Sequence, residues 1–154
     1  MSYSFVEQLG DDRQDVACKA VADFWCSQGY EVWDVSKNPS YFSDGVDLIR
    51  TINGNERTAI DVKCDFKAHL TGNIPVEFIE VVRKDDNSIK LGWAHKESLD
   101  EIHFYIWETK QILAIKRKTL LDLAFQDGRK GFAAFHEKPF PYFTFGILIP
   151  ITDL

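Results

Sequence analysis

Three charged residues lie in two neighbouring apolar runs of the sequence. Asp61 and Lys63 belong to an Asp-Val-Lys stretch, and Asp47 stands fourteen positions earlier, near the start of the preceding run. Two carboxylates can hold Mg²⁺ or Mn²⁺, an ion that polarises a phosphate and lowers the pKa of a bound water, and a lysine can orient that water. This trio therefore has the residue types for metal-assisted phosphodiester hydrolysis. A structural Asp–Lys pair, with Asp47 at a turn, is the alternative interpretation.

The two apolar runs are predicted to form a hairpin. Residues 46–52 and 57–64 read as strands, and Asn53-Gly54-Asn55-Glu56 joins them. Asn-Gly between apolar runs is a strong hairpin signal because both residues tolerate positive φ. Residues two apart on a strand share a face, so Asp61 and Lys63 emerge together. Pairing across the turn brings Asp47 beside Asp61, at the end of the hairpin away from the turn.

The surrounding pattern predicts an α/β or α+β domain with a mixed sheet. Apolar residues recur at helical spacing in one N-terminal and one C-terminal segment, and alternating or apolar runs predict further strands. We expect the last strand to lie at an edge or to end at Pro150. The predicted elements are a helix over 11–28, a strand over 30–35, a loop over 36–44, a strand over 74–82, a surface turn over 83–92, a second hairpin over 102–108 and 111–116, a helix over 118–126 and a strand over 143–151.

Composition limits the class of protein. The 154 residues, 45% hydrophobic and 14% aromatic, predict one globular domain over 1–154. No apolar run reaches the ~20 residues of a membrane helix and no signal peptide is visible, so we expect a cytoplasmic protein without a membrane partner. The three cysteines lack CxxC spacing, which disfavours a disulfide framework or a zinc knuckle. The net charge of −6 argues against a protein that coats nucleic acid, but it does not exclude a nuclease.

The motifs "GVDL" and "IDVK", after an amphipathic helix and an aromatic strand, resemble the PD-(D/E)XK nuclease superfamily over residues 10–65. The resemblance implies a restriction-endonuclease-like mixed β-sheet flanked by helices. It also implies that Asp47 and Asp61 bind Mg²⁺ or Mn²⁺, that Lys63 serves the water, and that the substrate is DNA. "GWAHKESLDEIHFYIWE" and "LAIKRKTLLDLA" are similar to small phage and resolvase-like members, which implies a phage-encoded protein acting in the host cytoplasm. Nucleases that cut both strands are often dimers, so a homodimer is a further expectation.

Two further residues are candidates for the same site. The helical stripe places Gln14 at its edge, facing the sheet, and Gly10-x-x-x-Gln14 resembles the G-x-x-x-E of archaeal Holliday junction resolvases. Asp11 or Asp15 would replace Gln14 if the helix register differed. Glu77 and Glu80 lie on opposite faces of one strand, and Glu77 is the one expected to return beside Lys63.

The densest basic cluster is Lys116, Arg117 and Lys118, with Arg129 and Lys130 beyond it. These cations could follow a phosphate backbone, and a solvated surface is the alternative.

Three functional hypotheses remain at this stage. The first is a metal-dependent nuclease acting on branched, single-stranded or duplex-end DNA, either as an endonuclease or as an exonuclease. The second is an inactive nuclease-fold module that binds nucleic acid or a protein partner. The third is a small phage-type accessory protein that works through protein contacts.

Overall fold

The computed structural model describes residues 5–82, 89–136 and 142–154, and side chains within 12–79, 89–136 and 142–154. Its elements form two sheets and three helices. The elements in chain order are α1 (Phe5–Ser27), β1 (Glu31–Asp34), β2 (Leu48–Ile52), β3 (Asn55–Asp65), α2 (Ala68–Thr71), β4 (Asn73–Val82), β5 (Ile89–Leu91), β6 (Glu101–Ile106), β7 (Gln111–Lys116), α3 (Arg117–Ala124), β8 (Lys130–His136) and β9 (Tyr142–Pro150).

The first sheet has five strands in the order β1-β2-β3-β6-β7 and is mixed. Strands β3 and β6 run parallel, and the other neighbours are antiparallel. The predicted hairpin is present, because Asn53 and Gly54 adopt φ of 51° and 72° and so allow the chain to reverse between β2 and β3. The second predicted hairpin is β6 and β7. The mixed sheet flanked by helices that we expected is therefore confirmed.

Helix α1 covers one face of the first sheet. Ala17 and Val21 of the helix pack against Leu48, Ile60 and Val62, all of which are fully or almost fully buried. These strand residues occupy even positions, so the odd positions of β3 must face the other way. This alternation sends Asp61 and Lys63 to the side opposite the helix.

A second core lies between the two sheets. Ile49 and Phe104 of the first sheet, Val76 and Ile149 of the second sheet, and Leu120 of α3 belong to one buried cluster. The second sheet is antiparallel, with strand order β5-β4-β9-β8. It closes over the face of the first sheet that carries Asp61 and Lys63.

Several predicted elements differ from the structure. Strand β8 was not predicted, and residues 89–91 of the predicted surface turn form β5, while residues 83–88 lie outside the described part of the chain. Strand β9 ends at Pro150 as expected, but it lies between β4 and β8 and not at an edge. Local patterns do not say which strands share a sheet, and β8, with Gly131 and two alanines, lacks a strong strand pattern. Within the described ranges, no helix is long and apolar enough to cross a membrane.

Candidate active site

Asp61 and Lys63 form an ion pair on the inner face of β3. The ammonium nitrogen of Lys63 lies 2.9 Å from Oδ2 of Asp61. The Asp61 side chain is almost fully buried, whereas that of Lys63 is 37% exposed. The pair therefore has one buried member and one that water and a ligand can reach.

Asp47 lies at the point where β2 begins. Its backbone N–H donates to the carbonyl of Ile60 at 2.9 Å, and its carboxylate Oδ2 accepts a hydrogen bond from the backbone N–H of Val62 at 2.8 Å. Since β2 begins at Leu48, the edge of β3 beyond Ile60 lacks a strand partner on that side. The Asp47 side chain takes the place of that partner, which holds its carboxylate at the Asp61 end of the hairpin.

The two carboxylates affect one another. Burial is the main reason that the pKa of Asp47 rises from 3.8 to about 7, and the negative charge of Asp61 and a hydrogen bond to Asp61 raise it further. The Val62 N–H and the charge of Lys63 act in the opposite direction. The proximity of Asp47 and Asp61 therefore creates a position where a cation would be stabilised.

Gln14 of α1 reaches the same edge of β3. Its Nε2 donates to the carbonyl of Val62 at 2.6 Å, and it also lies 3.7 Å from Sγ of Cys18. The two backbone groups of Val62 are thus held by Asp47 on the N–H and by Gln14 on the carbonyl. The helix register is the predicted one, because Asp15 is exposed and pairs with Lys37 at 3.1 Å. The side chain of Asp11 lies outside the described residues.

Glu77 of β4 faces the site from the second sheet. Burial disfavours the charge of Lys63, but Asp61 beside it, and the charges of Glu77 and Asp47, hold the pKa of Lys63 above its usual value. Strand β4 has an irregular register between Glu77 and Ile79, so the alternation of faces predicted for a regular strand is interrupted there. Glu77 is half-buried, and the side chain of Glu80 lies outside the described residues.

The donor set fits a hard divalent cation. Mg²⁺ is often held by one or two carboxylates together with substrate phosphates, and Asp47 and Asp61 supply two. The carbonyl of Val62, to which Gln14 donates, is a third hard oxygen on the same edge. Within the described part of the chain, no group of three or more His, Cys, Asp or Glu side chains could hold a metal ion by itself. A cation here would consequently keep positions for water or phosphate.

The predicted basic cluster does not present three equivalent cations. Lys116 and Lys118 are exposed, but the Arg117 guanidinium donates to the carbonyls of Leu99 and Ala94, each at 3.0 Å. Arg129 similarly donates to the carbonyl of Leu123 and pairs with Asp153. Arg117 and Arg129 therefore support neighbouring loops, and Lys116 and Lys118 remain as exposed candidates for phosphate contact.

Sequence reasoning missed a buried polar network under α1. Arg50 forms two hydrogen bonds with Glu101, at 2.9 and 3.2 Å, and Glu101 lies 2.7 Å from Nε2 of the fully buried His103. Because Trp25 Nε1 can only donate, to Nδ1 of His103 at 3.3 Å, the proton of a neutral His103 is on Nε2 and points to Glu101. The signal in the sequence was Arg50 within an apolar strand.

A cleft of about 430 Å³ beside the candidate site was also not predicted from the sequence. The end of β3 and strands β4, β8 and β9 line it, with Cys64, Phe66, Glu77, His136 and Thr144 among the lining residues. Only the tertiary structure brings these segments together. The cleft is large enough for part of an extended ligand next to Glu77.

No protein-family profile matches the chain, and no curated protein matches it. Among solved structures, the bacterial homing endonuclease I-Ssp6803I is similar to it, with a TM-score of 0.56 and 18% sequence identity over 78% of this chain and 81% of that chain. The chain therefore has a nuclease-like α+β fold.

Proposed function

We propose that the chain is a metal-dependent nuclease that hydrolyses phosphodiester bonds in DNA, with Asp47, Asp61 and Lys63 as its catalytic residues. The observation that carries the proposal is the convergence of these residues: two largely buried carboxylates that interact with one another, and an ammonium 2.9 Å from one of them. The nuclease-like fold supports it. The PD-(D/E)XK assignment rests on the sequence motifs and belongs to the same proposal.

Each residue has a task that follows from its surroundings. Asp47 and Asp61 would hold Mg²⁺ or Mn²⁺, which when bound supplies positive charge to phosphate oxygens and makes water more acidic. Lys63 remains protonated because its pKa is raised, so it donates hydrogen bonds and does not act as a general base. Its ammonium orients the attacking water and stabilises charge on the phosphate. Asp61 is the main group that keeps Lys63 charged, Glu77 adds to this effect, and Gln14 donates to the Val62 carbonyl.

The test is a cleavage assay with three labelled DNA substrates: a single strand, a duplex with free ends and a four-way junction. The parent should cleave at least one of them with Mg²⁺ or Mn²⁺ and none with EDTA. Which substrate is cut, and whether cleavage starts at an end, defines the activity as endo- or exonucleolytic. Cleavage that persists in EDTA, or that proceeds at the rate of the parent in the Lys63→Ala variant, would contradict the assignment. Lys90→Ala, which removes an exposed lysine of β5 outside the trio, is the matched control.

An inactive nuclease-fold module is the second candidate. The observation that favours it is Gln14, which brings no charge to a position beside Asp47. Such a module would bind nucleic acid or a protein partner, and its Asp61–Lys63 pair would have a structural role. It predicts oligonucleotide binding without cleavage under every metal condition of the assay.

The homodimer, the cytoplasmic location and the phage origin stay predictions from the sequence and its resemblance. A dimer would carry two sites and could cut both strands of a duplex. Its mass in solution, measured by light scattering, tests it directly.

A further inference from the structure

Cations lie over aromatic rings where the parallel strands β3 and β6 end. The guanidinium carbon of Arg13 is 4.9 Å from the ring centroid of Phe66 and 5.5 Å from that of Trp107. The ammonium of Lys110 lies 4.1 Å from the Trp107 centroid. The rings of Phe66 and Trp107 are 5.9 Å apart. We call these four residues, with the neighbouring exposed Lys67, the aromatic–cation patch.

The patch has positive charge in an acidic protein. Within the described residues, no carboxylate forms an ion pair with Arg13, Lys67 or Lys110. Asp65, two positions before Lys67, has Oδ1 engaged by the backbone N–H groups of Lys67 and Ala68 at 2.8 and 2.7 Å. Asp12 and Glu108, which adjoin Arg13 and Trp107 in sequence, form no ion pair with the patch cations among the described residues. The cations therefore remain available to an anionic ligand, although the whole chain has a net charge of −6.

The patch is continuous with the candidate site. Phe66 follows Lys63 by three positions, a distance of about 10 Å along an extended chain. Phe66, Lys67 and Glu77 line the same cleft. A ligand that fills the cleft would therefore touch Phe66 and Lys67 of the patch together with Glu77, the residue whose charge acts on Lys63.

The combination of groups indicates the kind of ligand. Phosphates need cations, and a base needs a ring face on which to stack, an interaction that tolerates any base. Phe66 is 38% exposed, and Trp107 is half-buried. In a regular duplex the base faces are already covered by their neighbours, so only an unpaired nucleotide can use these rings. An acidic peptide would use the cations but would not need the aromatic rings.

We propose that the aromatic–cation patch binds an unpaired segment of the DNA strand next to the scissile phosphate. The bases stack on Phe66 and Trp107, and Arg13, Lys67 and Lys110 contact the phosphates. This inference rests on the proposed nuclease function and defines the substrate class as DNA that is single-stranded beside the cut. It assigns the main strand contact to this patch and not to Lys116 and Lys118.

The experiment measures binding without cleavage. A fluorescein-labelled dT 12-mer and a matched 12-base-pair duplex are titrated in Mg²⁺ against the Lys63→Ala protein, which keeps both carboxylates. On this background Phe66→Leu removes the ring and retains an apolar side chain. It should weaken single-strand binding about 5- to 150-fold, the range that one base–aromatic stack supplies, and leave the weaker duplex binding unchanged.

The cations and Trp107 give independent readouts. Lys110→Gln should lower the slope of log affinity against log salt for the single strand by about 0.7, while Lys118→Gln leaves it unchanged. Stacking on Trp107 should quench tryptophan fluorescence when dT binds, and Trp107→Phe should remove that quench while keeping a ring.

Each outcome separates the two proposals. The proposed role of the patch is contradicted if Phe66→Leu leaves single-strand affinity unchanged, or if it lowers the affinities for single strand and duplex equally. Metal-dependent cleavage by the parent protein would still support the nuclease function in that case. An acidic peptide that competes as strongly as dT also contradicts the proposed role of the patch. If the parent neither binds nor cleaves DNA, the proposed function fails as well.

Discussion

The ammonium of Lys63 lies 2.9 Å from the carboxylate of Asp61, and the two side chains are 37% and 6% exposed. A purely structural pair gains most when both members are enclosed and fully hydrogen-bonded. Here the lysine side chain is partly exposed, while the aspartate stays buried near Asp47. This difference in exposure is what we expect of a lysine that contacts a substrate. The roles of Lys63 and Asp61 can therefore be tested by separate substitutions.

Lys63→Ala should lower the cleavage rate by about 10²- to 10³-fold, the usual loss when one preorganised hydrogen-bond donor to developing charge is removed. Mn²⁺ binding should persist because Asp47 and Asp61 remain. A cleavage assay measures the loss of rate, and a calorimetric Mn²⁺ titration measures whether metal binding persists. A variant with the rate of the parent would remove Lys63 from the mechanism.

Asp61→Asn should abolish metal-dependent cleavage and the rise in melting temperature that Mn²⁺ causes by binding the folded state. In EDTA the variant should be as stable as the parent or more stable, since the repulsion from Asp47 is gone and Lys63 remains close to Glu77 and Asp47. Melting curves with EDTA and with about millimolar Mn²⁺, near the weak end of oxygen-ligand affinities, measure both effects. Two results together would instead support the structural pair and the binding module. They are a melting temperature of the parent that does not change with Mn²⁺, and a melting temperature of the variant in EDTA that is clearly below that of the parent.

The metal-free protein should lose stability as pH rises from about 4 to about 7. Burial, with the charge of Asp61, raises the pKa of Asp47 from 3.8 to about 7. In that window the folded state keeps a proton that the unfolded state has released, so each step upward in pH favours unfolding. Asp47→Asn keeps an acceptor for the Val62 N–H and should flatten this slope. Urea unfolding in EDTA at several pH values is the measurement, and identical slopes in parent and variant would contradict it.

Mn²⁺ affinity should rise over the same pH range, because the ion binds the ionised carboxylate and competes with the proton. Below pH 7 the increase should approach about tenfold per pH unit if one proton is displaced. A titration in which affinity does not change with pH would show that Asp47 is not a ligand.

Gln14→Glu tests the helix position. It removes the donor to the Val62 carbonyl and adds a carboxylate beside Asp47, so we expect lower stability in EDTA and a larger stabilisation by Mn²⁺. Gln14→Leu, which removes the same donor without adding charge, separates the two causes. Equal Mn²⁺ responses in both variants would place Gln14 outside the metal site.

Glu101→Gln should destabilise the fold by about 3–5 kcal/mol, because it leaves the Arg50 charge largely buried without its partner. Burial of Glu101 disfavours the charged form of its carboxyl group. The hydrogen bonds from His103 and Arg50 favour the charged form more strongly, and they hold the pKa of Glu101 below its usual value. Its contribution is therefore present above the ordinary Glu pKa and is lost as pH falls below it. Asp23→Asn, which breaks the exposed Lys19–Asp23 pair, should cost less than about 1 kcal/mol and serves as the control.

The sequence alone determined the hairpin and the residues it brings together. Asn53-Gly54 fixes the turn through its positive φ, and period-two alternation places Asp61 and Lys63 on one face of β3. These are local effects, set by backbone sterics within a few residues. The helix stripe likewise oriented Gln14 toward the sheet, where it contacts Val62.

Only the tertiary structure decided what surrounds that hairpin. The second sheet, the approach of Glu77 to Lys63, and the joining of Arg13, Phe66 and Trp107 depend on contacts between segments far apart in sequence. The burial that raises the pKa of Asp47 has the same origin. Strand pairing between distant segments and the desolvation of a carboxylate follow from how whole layers pack, and no local periodicity encodes either of them.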